Sequence, residues 1–357
     1  MLSAKYGAWN PGLESQLPRE YLPLSTVFNS ANVSTSLAKA HELSDYCGLP
    51  AHELVAFRAE RLIVHELLIA VTAGLSVPDG TNYEDLGANF RQIASTILNR
   101  YIAPHREELA QVLEQVRSAA SAVIARELSR ILSPAEKPAA EAEPGSRWRR
   151  PFNFGKQKTR PAISTERPDA RVRRIVSEWL TKSETADNLL DDSCFHALSR
   201  IATAIITRHG KFYGDKELLT SIAGTLVCND YGSEAIGHAI ERYFQEAVVR
   251  EGFRPLPPQE HPIVMNVKGA PASGKSTMRP LQRELAERIN SPWQEFALIS
   301  PDIWRKFLLD YGSLGAAYKY AGTLTGHELE IIDKKLDLRM AAKSERGEMS
   351  DLLIHRL

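Results

Sequence analysis

The sequence predicts a mainly α N-terminal region followed by a C-terminal α/β region, a doubly wound parallel sheet that the chain leaves incomplete. Three observations carry this. Apolar residues recur at three- and four-residue spacing through most of the chain up to Arg250. Four prolines in FRPLPPQEHP, Phe253 to Pro262, then forbid helix continuation. After them come a short apolar run, a glycine-rich loop, an amphipathic helix and a second apolar run, the order of a βαβ unit.

The first helical stretches are Ser34 to Cys47, Ala51 to Val77, Tyr83 to Tyr101 and Pro104 to Leu132. In the last of these Leu109, Val112, Leu113, Val116, Ala120, Val123 and Ile124 mark one face. The stretch RLIVHELLIAVTAGLSV, from Arg61, is the most apolar. It is shorter than the roughly 20 residues a spanning helix needs and holds His65 and Glu66, so it reads as a buried helix of a bundle. VHELL contains the first half of a zinc HExxH signature, but Ile69 stands where the second histidine belongs. His65 and Glu66 therefore read as satisfied polar groups on a helix.

From Ser133 to Ala170 there are six prolines and few residues able to form a core, which reads as a linker. Its later part is basic: Arg147 to Arg174 carries ten Lys or Arg against Glu166 and Asp169. Trp148, Phe152 and Phe154 are interleaved with that charge over 147–160, a composition suited to peripheral contact with an anionic membrane surface or RNA. A solvated linker is the default reading. A second helical block runs to Arg250, with Gly210 and Gly252 placed as C-terminal caps. DNLLDDSCFH gathers Asp187, Asp191, Asp192 and His196, and carboxylates at a helix start complement its dipole without a metal. The expected organisation is thus a helical domain over 1–133, a Pro-rich linker over 134–170, a second helical block over 171–252 and the α/β region over 253–357.

IVMNVK, Ile263 to Lys268, suits a buried parallel strand. Gly269-Ala270-Pro271-Ala272-Ser273-Gly274-Lys275-Ser276, followed by Thr277, fits GxxxxGK[ST] at every defined position. The glycines let successive backbone N–H groups turn inward at phosphate oxygens, and the following helix adds its N-terminal dipole. Lys275 is placed for the β- and γ-phosphates and the Ser276 hydroxyl for Mg²⁺. With a strand before and an amphipathic helix (Leu281, Leu285, Ile289) after, the region reads as a P-loop NTPase that binds ATP with Mg²⁺. EFALIS is the second strand, and Asp302 in SPDIW follows its C-terminal end, where an open α/β sheet places its ligands. A carboxylate there can accept the proton of an attacking hydroxyl; SPD is equally a helix entry.

These segments resemble the zeta-toxin family of P-loop kinases: GAPASGKST, FALIS, PDIWRKFLLDY and the long helix GHELEIIDKKLDLRMAAKSERG. The resemblance covers about residues 262–357. It implies ATP- and Mg²⁺-dependent phosphorylation of a small molecule, in the best-known branch the 3′-hydroxyl of UDP-N-acetylglucosamine. The family's second strand is followed by Asp-x-Asp; the second Asp, the proposed base, corresponds to Asp302, and Ser300 replaces the first. Arg305 is a candidate contact for an anionic group, and Glu328 and Glu330 lie near the family's acidic substrate-binding position. Such a sheet has about five strands. SDLLIHRL begins only a third, so the resemblance implies a catalytic domain truncated after Leu357, lacking the family's phosphate-binding arginines and showing an exposed sheet edge.

Zero formal net charge over 357 residues argues against nucleic acid as a partner. The partners expected are nucleotide, a small-molecule acceptor and a protein partner of the helical region. Three scattered cysteines (Cys47, Cys194, Cys228) make neither a disulfide framework nor a zinc site, and the N-terminus lacks a secretory leader, which points to a cytoplasmic compartment. The competing class is a helical partner- or membrane-binding protein whose P-loop region binds nucleotide without turnover.

Overall fold

The structure, a computed structural model, describes residues 17–80, 82, 84–132, 168–186, 188–268 and 278–356. The motif residues Gly269 to Thr277, the basic stretch 147–160 and Asp187 lie outside them. The protein is mostly helical with a small three-stranded parallel sheet. No helix among the described residues is long and apolar enough to cross a membrane.

The first helices are α1 (Leu37–Cys47), α2 (Ala59–Gly74), α3 (Asp85–Ile97) and α4 (Arg106–Leu132). Helix α1 starts where the Ser36 hydroxyl accepts from the Lys39 N–H and stops at Gly48, whose φ of 84° closes the turn. Helix α2 begins eight residues later than the apolar pattern predicts. Residues 51–53 form a single tight turn, and the next segment is drawn out by backbone bonds from Ser34 to Ala56 and from Arg58 to Asn32. Eleven of its sixteen residues are buried, including Arg61 and His65, because a helix apolar on nearly every side has to be covered on nearly every side.

Two compact units form. One consists of Met1–Ser118 with Thr225–Leu357, the other of Ala119–Gly224. This division differs from the chain-order domains that composition predicts. The reason lies in the covering of α2: α8 (Tyr231–Glu251), α11 (Ala321–Glu345) and the sheet all pack against it. Val27, Leu62, Leu68, Phe244, Ile299, Trp304 and Leu352 belong to one apolar core. The helical region and the α/β region of this unit are a single folded body.

The second unit contains α5 (Pro168–Glu184), α6 (Leu189–His209) and parts of α4 and α7 (Lys216–Asn229). Trp179 is fully buried and donates its indole N–H to Glu127, 3.0 Å away. Glycines cap α6 and α8 as the sequence predicts, with Gly210 at φ 75° and Gly252 at φ 67°.

The sheet comprises β1 (Val264–Lys268), β2 (Phe296–Ile299) and β3 (Asp351–Arg356), with α9 (Arg279–Arg288) and the four-residue α10 (Arg305–Leu308) between. All pairing is parallel and the order is β1-β3-β2. Leu352 pairs with Val264 on one side and Ala297 on the other. SDLLIHRL is therefore the central strand, with Leu352 and Leu353 buried. Two expectations are corrected. Strand β1 is not buried: Val264 is 55% exposed, as befits a strand paired on one side only among the described residues. In α9, Leu281 and Leu285, with Ile289 just beyond, face solvent, and the inward positions are Gln282 and Ala286. Arg283 instead ties α9 to the loop after α2, making two bonds of 2.6 and 2.7 Å to Asp79.

Candidate functional site

Because the three strands are parallel, the loop after β1, the turn after β2 and the end of β3 share one edge of the sheet. Strand β1 ends there at Lys268, and the motif Gly269 to Thr277 is next in the sequence. Asp302 lies on the 3₁₀ turn Pro301–Trp304 that leaves β2 there. With β3 between them, the two exits are separated by two strand spacings, about 10 Å.

The turn is anchored from below. Trp304 is fully buried and its indole N–H donates to the Thr72 hydroxyl of α2 at 3.2 Å. Above it the Asp302 side chain is 64% exposed, and its Oδ1 accepts from Arg305 Nε at 2.8 Å. Arg305 is not the solvated side chain its helix position favours. Its Nη1 also donates to the Gly322 carbonyl and the Thr325 hydroxyl, both at 2.7 Å. One guanidinium thus fixes Asp302 against the first turn of α11, and an exposed carboxylate held in one orientation is suited to receive a hydroxyl proton. Tyr311 stands nearby; burial pushes its phenol above the usual range against the pull of Arg305, with Tyr318 and, least, Asp302 adding to the rise.

The two acidic residues of α11 separate completely. Glu328 is fully buried and is bound on both oxygens by Arg61, with Nη2 at 2.7 Å, and by His65 Nε2 at 2.7 Å. Arg61 Nη2 also donates to the Leu308 carbonyl at 3.0 Å. Burial alone raises the Glu328 carboxyl, but the Arg61 charge and the hydrogen bonds from His65 and Arg61 outweigh it and hold it at about 2. For His65 burial dominates and lowers the imidazole to about 4, against the opposing bond to Glu328. The ring is therefore neutral, and since Glu328 only accepts, Nε2 carries the proton. Glu328 has no reach to a ligand. Glu330 lies on the opposite, solvent side of α11.

The chain matches no known family, no curated protein and no solved structure.

Two further groupings were not read from the sequence. Lys335 Nζ donates to the Ser233 hydroxyl at 2.8 Å, and that hydroxyl donates to Glu66. Burial lowers Lys335 and raises Glu66. Near the outer side of α11, the rings of His52 and His327 stack with centroids 3.9 Å apart and planes 5° from parallel. His327 Nδ1 lies 3.6 Å from a Glu330 carboxylate oxygen. Desolvation, then the His327 charge, lowers His52, with Glu53 and Glu330 opposing and Lys334 adding to the depression. Spacing shows only one part of these groupings in advance, His327 and Glu330 one helical turn apart. Asp191, Asp192 and His196 lie on α6, whose start is capped by Asn188 accepting from the Leu190 N–H.

A cavity of about 210 Å³ adjoins α2, α8 and α11, lined by Gly74, Phe244, Arg339, Lys343 and Arg346 among others. Its three cations are already engaged, Arg339 by Glu241, Lys343 by the Ala73 carbonyl and Arg346 by Glu348.

Proposed function

We propose that the chain is an ATP-dependent small-molecule kinase resembling the zeta-toxin family, with a nucleotide sugar such as UDP-N-acetylglucosamine as the first acceptor to try. The observation that supports this most is a pairing. Strand β1, which the GxxxxGK[ST] segment follows in the chain, and strand β2, which the oriented, exposed Asp302 follows, end on the same side of a parallel sheet with β3 between them.

In this reading the backbone N–H groups of Gly269 to Gly274, all but that of Pro271, which has none, and the Lys275 ammonium hold phosphate oxygens, and the hydroxyl of Ser276 is a ligand for Mg²⁺. Mg²⁺-ATP, when bound, supplies the phosphoryl group and neutralises its charge. Asp302 accepts the hydrogen bond of the acceptor hydroxyl, orients it and takes its proton. Arg305 positions Asp302 and, with Thr325, fixes the turn after β2 against α11. Ser300 stands where the family has its first Asp, so the acceptor is bound with one carboxylate fewer on this side. Glu328, taken up by Arg61 and His65, serves packing, and Glu330 faces His327 on the outer side of α11, so neither takes the family's acidic substrate-binding place in this reading.

The test is phosphoryl transfer from labelled ATP, with Mg²⁺, to a panel of nucleotide sugars and nucleosides. Lys275→Ala is expected to lose nucleotide binding. Asp302→Asn is expected to keep it and to slow transfer by roughly 10²- to 10⁴-fold. Transfer that survives both substitutions overturns the assignment. ATP binding without transfer to any acceptor replaces it with the nucleotide-binding interaction protein.

A further inference from the structure

We infer that His52, His327 and Glu330 form a binding site for a divalent transition ion of the zinc type, separate from the phosphate-binding edge and independent of the kinase reading. One ligand atom from each of the three residues lies within 4.8 Å of the other two. Ligands of a tetrahedral zinc ion lie about 3.3 Å apart, given bonds of about 2.0 Å. The set therefore needs a contraction of up to about 1.5 Å, and the side chains with room to rotate are His327 and Glu330 on α11, 49% and 67% exposed.

The ligands come from rigid supports. His327 and Glu330 are one turn apart on the outer face of α11, whose inner face is fixed by the buried Leu324, Glu328, Leu329 and Ile332. His52 sits on the turn between the buried Leu49 and Leu54, after the glycine cap of α1. Placement on fixed elements, rather than on long loops, is what a metal site requires. The donor set selects the ion. Two imidazoles and one carboxylate suit zinc, cobalt or nickel, while Mg²⁺ and Ca²⁺ take all-oxygen shells. Three protein ligands leave a fourth position to water, and Glu53 adds a second carboxylate beside His52. An imidazole nitrogen ligates in its ring plane, so the parallel His–His stack has to open by rotation of a ring for both to hold one ion.

Such an ion joins the turn after α1 to α11, two segments 275 positions apart in the chain. Its binding is measured on the full chain, stripped with a chelator, by titration with Zn²⁺ and by the visible d–d bands of Co²⁺. The expected result is one ion per chain, a raised thermal midpoint with Zn²⁺, and intense Co²⁺ bands that mark tetrahedral coordination. His327→Ala and Glu330→Gln, both at exposed positions, are expected to fold with unchanged circular dichroism and to weaken Zn²⁺ at least about tenfold. Loss of a ligand costs no less than the 10- to 100-fold typical of its supporting partners. Absence of binding to the unmodified chain, or binding that both variants retain unchanged, overturns the site.

Discussion

At the scale of single residues, the Glu328 carboxylate shows how the fold meets the cost of burying charge. Arg61 covers both oxygens and His65 adds a third bond, so the desolvated ion is neutralised and its lone pairs are used. Both acid–base groups are shifted in the direction that makes acid destabilising. The carboxyl, held at about 2 against 4.5, contributes stability that is present above 4.5 and lost as pH falls toward 2. His65, held at about 4 against 6.5, refuses a proton that the unfolded chain accepts, so stability declines from pH 6.5 to 4. We expect urea unfolding to show a loss on the order of 2 to 3 kcal/mol from His65 between pH 7 and 4, a share that His65→Gln removes while the smaller loss from Glu328 remains. A wild type and variant with parallel pH profiles would falsify this account. The sequence shows His65 and Glu66 as polar groups in an apolar helix that need partners. It does not show that the partners are residues 328 and 233, since nothing local encodes a contact across more than 160 positions.

Elements were legible where their signals are local. The caps at Gly210 and Gly252 and the strands on either side of the motif follow from glycine and apolar runs within a few residues. Strand order is not local. The run IVMNVK looks more buried than SDLLIHRL, which carries Asp351 and His355, yet the latter is central. Its polar ends are accounted for once the neighbours are known. Asp351 Oδ1 accepts from the Ile263 N–H at 2.8 Å and Oδ2 from the Ser291 hydroxyl, so one side chain joins the starts of two strands. Asp351→Ala leaves a buried hydroxyl and an N–H without partners and is expected to cost about 2 to 3 kcal/mol. Asp351→Asn, which keeps one acceptor, is expected to lose roughly half as much. Thermal midpoints of the two variants decide it, and equal midpoints would remove Asp351 from this role. The outward stripe of α9 has the same cause: the spacing of Leu281 and Leu285 defines a face but not which neighbour covers it. The candidate site divides likewise. Lys275, Ser276 and Asp302 follow from a motif and its strand context, whereas the clamp by Arg305 depends on where α11 begins.

For the molecule as a whole, the helical and α/β parts of the first unit hold each other up. Residues 25 and 26 bond the Leu324 carbonyl, Trp304 reaches Thr72, and Asp79 holds Arg283 and the Trp293 indole. A chain reduced to 253–357 loses α2 and α8 from its core and exposes Ile299, Trp304, Ile332 and Leu352 together. Expressed alone, it is expected to show no cooperative thermal transition by circular dichroism; a sharp two-state melt would contradict the shared core. The span between Arg61 and Glu328 also has a consequence in time. At ribosomal speeds of roughly 5 to 20 residues per second, 267 positions take about 13 to 53 s to synthesise. For that interval the emerging α2 carries its apolar sides and an unpaired guanidinium with the final partner still unmade. The nascent chain is thus a natural client for chaperones at the tunnel exit, whatever the finished protein goes on to do.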